Sequence, residues 1–303
     1  MADTTASTAL ARRPGWAQDD EQAQEQGVGR GRSLLYHVLL CLASIAMLYP
    51  LLWMLASSFK PESDIFSSAS LWPSHFSLEA YQRGWSGLQV SFGQFFLNSL
   101  LVSLSCVIGN VISCSLTAYA FARLTFRGQN IWFALMLGTL MLPYHVTLIP
   151  QYVLFLNLDW VGTFLPLIVP KFLAADAFFI FLLVQFFRSI PRDLDDAAMI
   201  DGCGPLRIYW MVILPLSLPA LATAAIFTFI WTWDDFFGPL VYLTDINTYT
   251  VQLGLRSFVD STGKSDWGAL FAMSTLTLLP VLGFFLAFQR LLINGIATTG
   301  LKG

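Results

Sequence analysis

Apolar residues in this chain do not recur at the helical period of a soluble amphipathic helix; they run on without a polar face. Runs of about 20 predominantly apolar residues, the length that crosses a bilayer as a helix, fall near 34–57, 95–121, 131–154, 162–187, 216–233 and 267–293, the fifth continuing towards Leu243. Polar and helix-breaking residues interrupt them sparingly. Asn98 and Asn110 stand in the second run, Pro143 and Pro150 in the third, and Pro166, Pro170, Lys171 and Asp176 in the fourth. The pattern predicts an all-α integral membrane protein with six transmembrane helices, its membrane domain spanning 33–293. Residues 1–32 are rich in Ala, Thr, Gln, Gly and charge without apolar periodicity, and are expected to form a disordered tail. No short apolar core with a small-residue cleavage site stands near the start, so the first run reads as a retained helix. Residues 294–303 form a short C-terminal tail.

One polar stretch between the fourth and fifth runs, 189–215, is longer than a reversal of direction requires. It reads S-I-P-R-D-L-D-D-A-A-M-I-D-G-C-G-P-L-R-I-Y-W-M-V-I-L-P, a short helix, a tight turn and a second helical segment. Pro191 suits a first helical turn, where its missing N–H costs nothing, and Ser189 and Asp193 are candidate caps. Gly202 and Gly204-Pro205 supply the stop, because Gly accepts a left-handed backbone and Pro cannot continue a helix. Leu194, Ala197 and Ala198 share a face at i, i+3, i+4 spacing.

Lys and Arg set the orientation, since they favour the cytoplasmic side. With the N-terminus inside, the inner segments hold Arg12, Arg13, Arg30, Arg32, Arg123, Arg127, Arg188, Arg192, Arg207, Arg290 and Lys302. The outer segments hold only Lys60, Arg83, Arg256 and Lys264. The polar stretch and both termini are therefore expected in the cytoplasm of a multi-pass protein of the bacterial plasma membrane. Composition agrees: 56% of residues are hydrophobic and 12% charged, about half the charge of a soluble domain. A net charge of −3 gives no reason to expect a nucleic-acid partner.

Catalytic and cofactor motifs are missing from the sequence. His37, His75 and His145 lack ligand-spaced partners, and Cys41, Cys106, Cys114 and Cys203 form no disulfide framework. Gly263-Lys264-Ser265 ends like a phosphate-binding loop, but Phe258 stands where that loop requires Gly. The chain is thus expected to be non-catalytic and to bind no metal or cofactor. If ATP drives it, another chain binds the nucleotide. The candidate pathway residues are the polar and aromatic groups inside or beside the apolar runs: Lys171, Asp176, Trp233, Asp234, Asp235 and Phe236. Carboxylates accept hydroxyl hydrogen bonds while aromatic faces pack on a sugar ring, and intramembrane charges commonly line pathways. Asn98 and Asn110 are expected to bond across helices.

The polar stretch also carries a gapped signature. Asp196-Ala197-Ala198, three residues, Gly202, nine residues, then Val212-Ile213-Leu214-Pro215 resembles the E-A-A-x3-G-x9-I-x-L-P loop of permease subunits of bacterial ABC importers, with Asp for Glu and Val for Ile. Ser58-Phe59-Lys60-Pro61 is similar to the S-F-K-P of the carbohydrate-importer branch, and Trp233-Asp234-Asp235-Phe236 to its W-N-E-F run. The ending from Asn294-Gly295 to Gly300-Leu301-Lys302-Gly303 resembles that of maltose-type inner-membrane subunits. The resemblance implies a type I ABC importer permease fold that moves a di- or oligosaccharide, or a related polyol-phosphate, inward. It implies a second homologous permease, two ATPase subunits carrying ATP and Mg, an extracytoplasmic solute-binding protein and a lipid surround. The 193–204 segment becomes a coupling helix, docking an ATPase through Leu194, Asp195, Asp196, Ala197, Ala198, Ile200, Asp201, Gly202 and Gly204, with Pro215 closing the motif. Gly300, Leu301, Lys302 and Gly303 become a second ATPase contact. A self-sufficient secondary transporter or channel is the alternative; it would need its own coupling-ion site and usually shows internal repeats.

Overall fold

The computed structural model describes residues 15–67, 70–259 and 265–299, with side chains from residue 32 to 291 within those ranges. Every regular element among them is helical. The chain divides into two units, Met1–Met54 and Leu55–Gly303. In the first, α1 (Gly15–Ser57) carries an apolar stretch, Arg32–Ser57, of mean hydropathy 2.3. Its Leu, Ile, Val and Met side chains lie largely exposed around the helix, as suits a helix surrounded by lipid. The helix already begins at Gly15, within the expected tail. The A-Q-D-D-E-Q-A-Q-E-Q run suits a helix, since Ala, Gln and Glu are good helix formers.

In the second unit the short α2 (Glu62–Ile65) and α3 (Glu79–Ser86) precede α4 (Phe92–Arg123), a helix on which several of the later elements pack. Ser91 caps it, its hydroxyl accepting from Gly93 N–H at 3.3 Å. At about 1.5 Å per residue it is about 48 Å long, enough to reach two separate cores. Around its C-terminal half, Tyr119, Phe121, Phe179, Leu183, Phe187, Ile208, Tyr209 and Ile213 bury one another. At its N-terminal end the core is Phe92, Phe95, Phe229, Trp233, Val251 and Met273.

The third apolar run is not one helix. It forms α5 (Gln129–Thr139) and α6 (Tyr144–Asn157), bent by 100° at the intervening break. Pro143, immediately before α6, has no N–H to continue the first helix. The fourth run is α7 (Leu165–Phe172) followed by α8 (Ala177–Ser189), with Ala174 at φ 54° in the break. The polar hairpin follows: α9 (Asp193–Ile200), then α10 (Pro205–Ile208), a wide π turn at Tyr209–Ile213 and α11 (Leu214–Leu216). A 78° bend separates this arm from α12 (Leu218–Trp233). Thus the fifth run turns sharply at Ser217 instead of rising straight from the hairpin, and Pro215 and Pro219 flank the bend. Beyond it lie α13 (Phe237–Tyr242), a short 3-10 turn at Ile246–Thr248, α14 (Val251–Arg256) and α15 (Trp267–Thr299). Among the described residues four helical segments are long and apolar enough to cross a membrane, and the number is six if each bent pair is one span.

The buried asparagines bond across elements as their positions suggested. Asn98 Nδ2 donates to the carbonyls of Asn247 (2.8 Å) and Tyr249 (2.9 Å). Asn110 Nδ2 donates to Thr228 Oγ1 of α12 at 2.8 Å. The α7–α8 break is stitched by α4 in the same way. Cys106 Sγ–H points to the carbonyl of Leu167 at 3.3 Å, and Ser113 Oγ–H donates to that of Lys171 at 2.7 Å. Pro170 and the broken helix leave carbonyls without helical partners, and in a bilayer only protein groups or an enclosed cavity can satisfy them.

Candidate docking hairpin and membrane cleft

The hairpin begins differently from the sequence expectation. The first helix starts at Asp193, so Pro191 stands ahead of it and not in its first turn. Arg192 occupies the cap position without a side-chain cap bond, and the Ser189 hydroxyl donates back to the carbonyl of Phe186 at 2.7 Å. Neither Ser189 nor Asp193 is a cap. Instead Asp193, Asp195 and Asp196 place three carboxylates in the first turn, where the helix dipole favours negative charge. The stop is as expected. Gly202 has φ 80°, and Cys203 N–H bonds to the carbonyl of Ala198 at 2.9 Å, closing the last turn. A Cβ at Gly202 meets nothing within 4 Å, so glycine is required there by the backbone and not by crowding.

What fastens this hairpin is a pair of arginines, Arg123 at the end of α4 and Arg192 just ahead of α9. Arg123, with a side chain 2% exposed, donates from Nη1 to Asp195 Oδ2 at 3.0 Å. Its Nη2 donates to the carbonyls of Phe187 (2.6 Å) and Ile190 (2.8 Å) at the end of α8. Arg192 answers, donating to the carbonyls of Ala122 (2.7 Å) and Arg123 (3.0 Å). Gln129 Nε2 reaches that of Phe121 at 2.8 Å. The last carbonyls of a helix have no partner within it, and here cationic and amide donors supply them. Further along, Tyr119 Oη–H donates to the carbonyl of Pro205 at 2.8 Å, and the hydroxyls of Ser115 and Tyr209 bond at 2.8 Å.

These contacts sort the predicted docking residues. Asp195 is buried and committed to Arg123, so it belongs to the anchor and not to an outward surface. The reason is its position, one residue off the exposed face that holds Asp196. Ala198 is half-buried against the core. Leu194, Asp196, Ala197, Ile200, Asp201, Gly202, Gly204 and Pro215 are exposed, Ile200 to 87%. Met199, which sequence reasoning passed over, joins Ile200 and Leu194 as an exposed apolar side chain. Its place between Ala198 and Ile200 at the end of a short helix was the available signal. Gly300, Leu301, Lys302 and Gly303 lie outside the described residues.

A cleft of about 780 Å³ opens among α6, α7, the α7–α8 break, α12 and α13. Lys171, Asp176 and Asp235 line it, with Tyr144, Gln151, Trp231 and Tyr242. Lys171 Nζ pairs with Asp176 Oδ2 at 3.0 Å across the break. Asp235 Oδ1 accepts from Gly238 N–H at 3.2 Å. A smaller adjoining cavity of about 100 Å³ shares Lys171, Trp231 and Asp235. The other predicted pathway residues lie elsewhere. Trp233 is buried in the core at the N-terminal end of α4, its ring stacked on Phe229 and its Nε1–H donating to the carbonyl of Thr277 at 3.2 Å. A residue two positions from Trp231 on a helix points to a different face, which is why this tryptophan is structural. Asp234 accepts from Gln252 Nε2 at 3.4 Å, and Phe236 packs on Phe237; neither lines the cleft. Tyr144, Gln151 and Tyr242 were missed, although a lone Gln within an apolar run was a legible sign. The cleft therefore offers a cation, carboxylate acceptors and aromatic faces.

The sequence matches the family described as binding-protein-dependent transport system inner membrane component over residues 109–298. It is 36% identical to the probable ABC transporter permease protein YurM of Bacillus subtilis, over 88% of this chain and 87% of that protein. It is 35% identical to the diacetylchitobiose uptake system permease protein NgcG of Streptomyces coelicolor, over 84% of each chain. The fold is similar to a chain in the crystal structure of a bacterial ABC transporter involved in the import of the acidic polysaccharide alginate. The TM-score there is 0.76 at 22% identity, covering 86% of this chain and 96% of that one.

Proposed function

This chain belongs to the inner-membrane components of binding-protein-dependent transport systems, and on that premise we propose that it carries a sugar or a related polyol-phosphate inward, driven through α9 by a separate ATPase. The observation that carries the mechanism is the two-sidedness of α9. Its inner side is fastened to the end of α4 by Asp195, with Arg192 just ahead of the helix, while Leu194, Met199 and Ile200 stand bare on the other. A short helix with exposed apolar side chains at the tip of a polar hairpin suits a groove on a protein partner. The arginine-rich ends of α4 and α8 support a cytoplasmic position for it. ATP and Mg belong on the partner subunits, two in number, and a second homologous permease completes the pathway. The solute-binding protein delivers on the opposite face, and the 300–303 tail makes a further ATPase contact.

The solute class rests on the cleft and on NgcG, a relative whose name gives a disaccharide as its cargo. Asp235 and Asp176 supply acceptors for hydroxyls, Lys171 a donor that also suits phosphate, and Trp231, Tyr144 and Tyr242 flat faces for a ring. A self-powered transporter or channel finds no support in these likenesses. The test is assembly and coupling. Mild solubilisation is expected to bring down the ATPase and a second permease with this chain. Gly202→Asp is expected to leave the chain in the membrane but abolish ATP-driven uptake. Wild-type uptake by that variant with normal ATPase assembly would refute the docking role.

A further inference from the structure

We propose that the Arg123–Asp195 ion pair is the mechanical link that carries movement of the docking hairpin into the membrane helices. The proposal rests on the docking reading above and adds to it the route. The attachment of α9 to the body of the protein is narrow. Of its side chains only Ala198 packs against the apolar core, and the remaining hold comes from Asp195, with Arg192 just ahead of the helix. The second arm differs, since Ile208, Tyr209 and Ile213 are buried in that core.

One guanidinium joins three elements. Arg123 is the last residue of α4; it grips Asp195 of α9 through Nη1 and the end of α8 through Nη2. Arginine's planar fork fixes direction as well as distance. Apolar packing lets a helix slide or roll by small steps, whereas a buried guanidinium bonded to Asp195 through one Nη and to two carbonyls through the other holds one geometry. The pair is also an expensive way to join helices, because two charges leave water. Arg123 Nε and Asp195 Oδ1 are both buried without a hydrogen-bond partner, so the cost is not fully offset locally. A joint made only for stability is better served by apolar side chains. From Arg123 the route continues along α4. Ser113 and Cys106 bond the carbonyls of α7 beside the cleft, and Asn110 bonds Thr228 of α12. A pull on α9 therefore reaches the helix that holds Lys171. Arg123 and Asp195 are positioning residues, acting through α4 on the cleft and touching neither solute nor nucleotide.

The experiment compares the intact transporter with one carrying Arg123→Leu and Asp195→Leu together, which removes both charges so that neither is left buried without its counter-ion, at the cost of the Arg123 bonds to the carbonyls of Phe187 and Ile190. Both carry Leu173→Cys, a cleft-lining position, in a background in which Cys41 and Cys203 are replaced by Ser and the buried Cys106 and Cys114 are kept. The readouts are ATPase co-purification and the rate at which a membrane-impermeant maleimide labels position 173, with and without ATP. The expected result is that ATP changes the labelling rate of the otherwise intact complex by about fivefold or more, while the double variant retains its ATPase and loses the response. A retained response in the double variant overturns the link. Loss of ATPase binding in the double variant also overturns it, since the pair would then be part of the dock. An ATP-insensitive rate in the intact complex sinks the docking reading itself. Asp195→Asn, which keeps the shape of the side chain, stands in if the double variant fails to accumulate, and an intact ATP response there overturns the link as well.

Discussion

At the scale of single residues, two positions show how the same kind of side chain serves different ends. Asp195 is buried against Arg123, but Asp266, near the opposite end of α4, works at the protein surface. Asp266 caps α15, its Oδ1 accepting from Ala269 N–H at 2.8 Å, and its Oδ2 pairs with Arg83 Nε at 2.9 Å. Burial pushes the Asp266 carboxyl up, but the bonds from Arg83 and Ala269 and the charge of Arg83 outweigh it and hold it below the usual range. A carboxylate depressed on folding adds stability that is present above its unfolded value, about pH 4, and lost as pH falls through the folded value. Asp266→Asn keeps a good cap and removes the charge. It is expected to cost less than about 1 kcal/mol at pH 7, as exposed pairs do, and the deficit is expected to fade as pH falls from about 4 through the folded value. Asp266→Ala also loses the cap and is expected to cost about 1–2 kcal/mol. Thermal unfolding of the purified protein in detergent across pH separates the two. At Gly202, φ 80° with open space around the α-carbon predicts that Gly202→Ala costs about 1–2 kcal/mol of backbone strain, with no steric clash. A small change in unfolding midpoint alongside a large change in uptake would mark the turn angle as functional.

At the scale of elements, the breaks matter more than the spans. The sequence made the apolar runs, the short helix at 193–200 and the Gly202 stop legible, because these follow from local pattern and glycine chemistry. It did not reveal that the third run bends by 100° or that the fifth bends by 78°. Prolines mark where a helix loses a bond, but neighbouring helices decide the angle. The α7–α8 break depends on such neighbours. Ser113 Oγ satisfies the carbonyl of Lys171, the residue that also holds Asp176. Ser113→Ala removes that donor within the membrane and is expected to destabilise by about 0.6–1.7 kcal/mol. Ser113→Thr keeps the hydroxyl and is expected to be close to neutral. Equal midpoints for the alanine and threonine variants would show that the bond contributes nothing to holding the break.

For the whole molecule, α4 ties two ends that differ in kind, a hairpin held by charge and a far core held by aromatic packing. The candidate site was legible only in part for the same reason. Lys171, Asp176 and Asp235 stood out as charges in apolar surroundings, yet Trp233 and Asp234 looked equally suitable until the helix face was known. The cleft makes a prediction that separates them. A carboxylate has about four acceptor sites, and the N–H groups of Gly238 and Phe237 bond to Asp235; the remaining acceptor capacity can meet solute hydroxyls. A hydrogen bond to a charged group contributes about 1.5–3 kcal/mol, so Asp235→Asn is expected to lower uptake of the solute retained by the cognate binding protein about tenfold or more, with little effect on the unfolding midpoint. Lys171→Met is expected to lower uptake and the midpoint together, because it leaves the half-buried Asp176 without its cation. Trp233→Phe, which loses the bond to Thr277 in the core, is expected to lower the midpoint while the variant that still folds transports at the wild-type rate. If Trp233→Phe reduced transport without destabilising the protein while Asp235→Asn left it intact, the solute path would run along the other face of α12, away from Lys171.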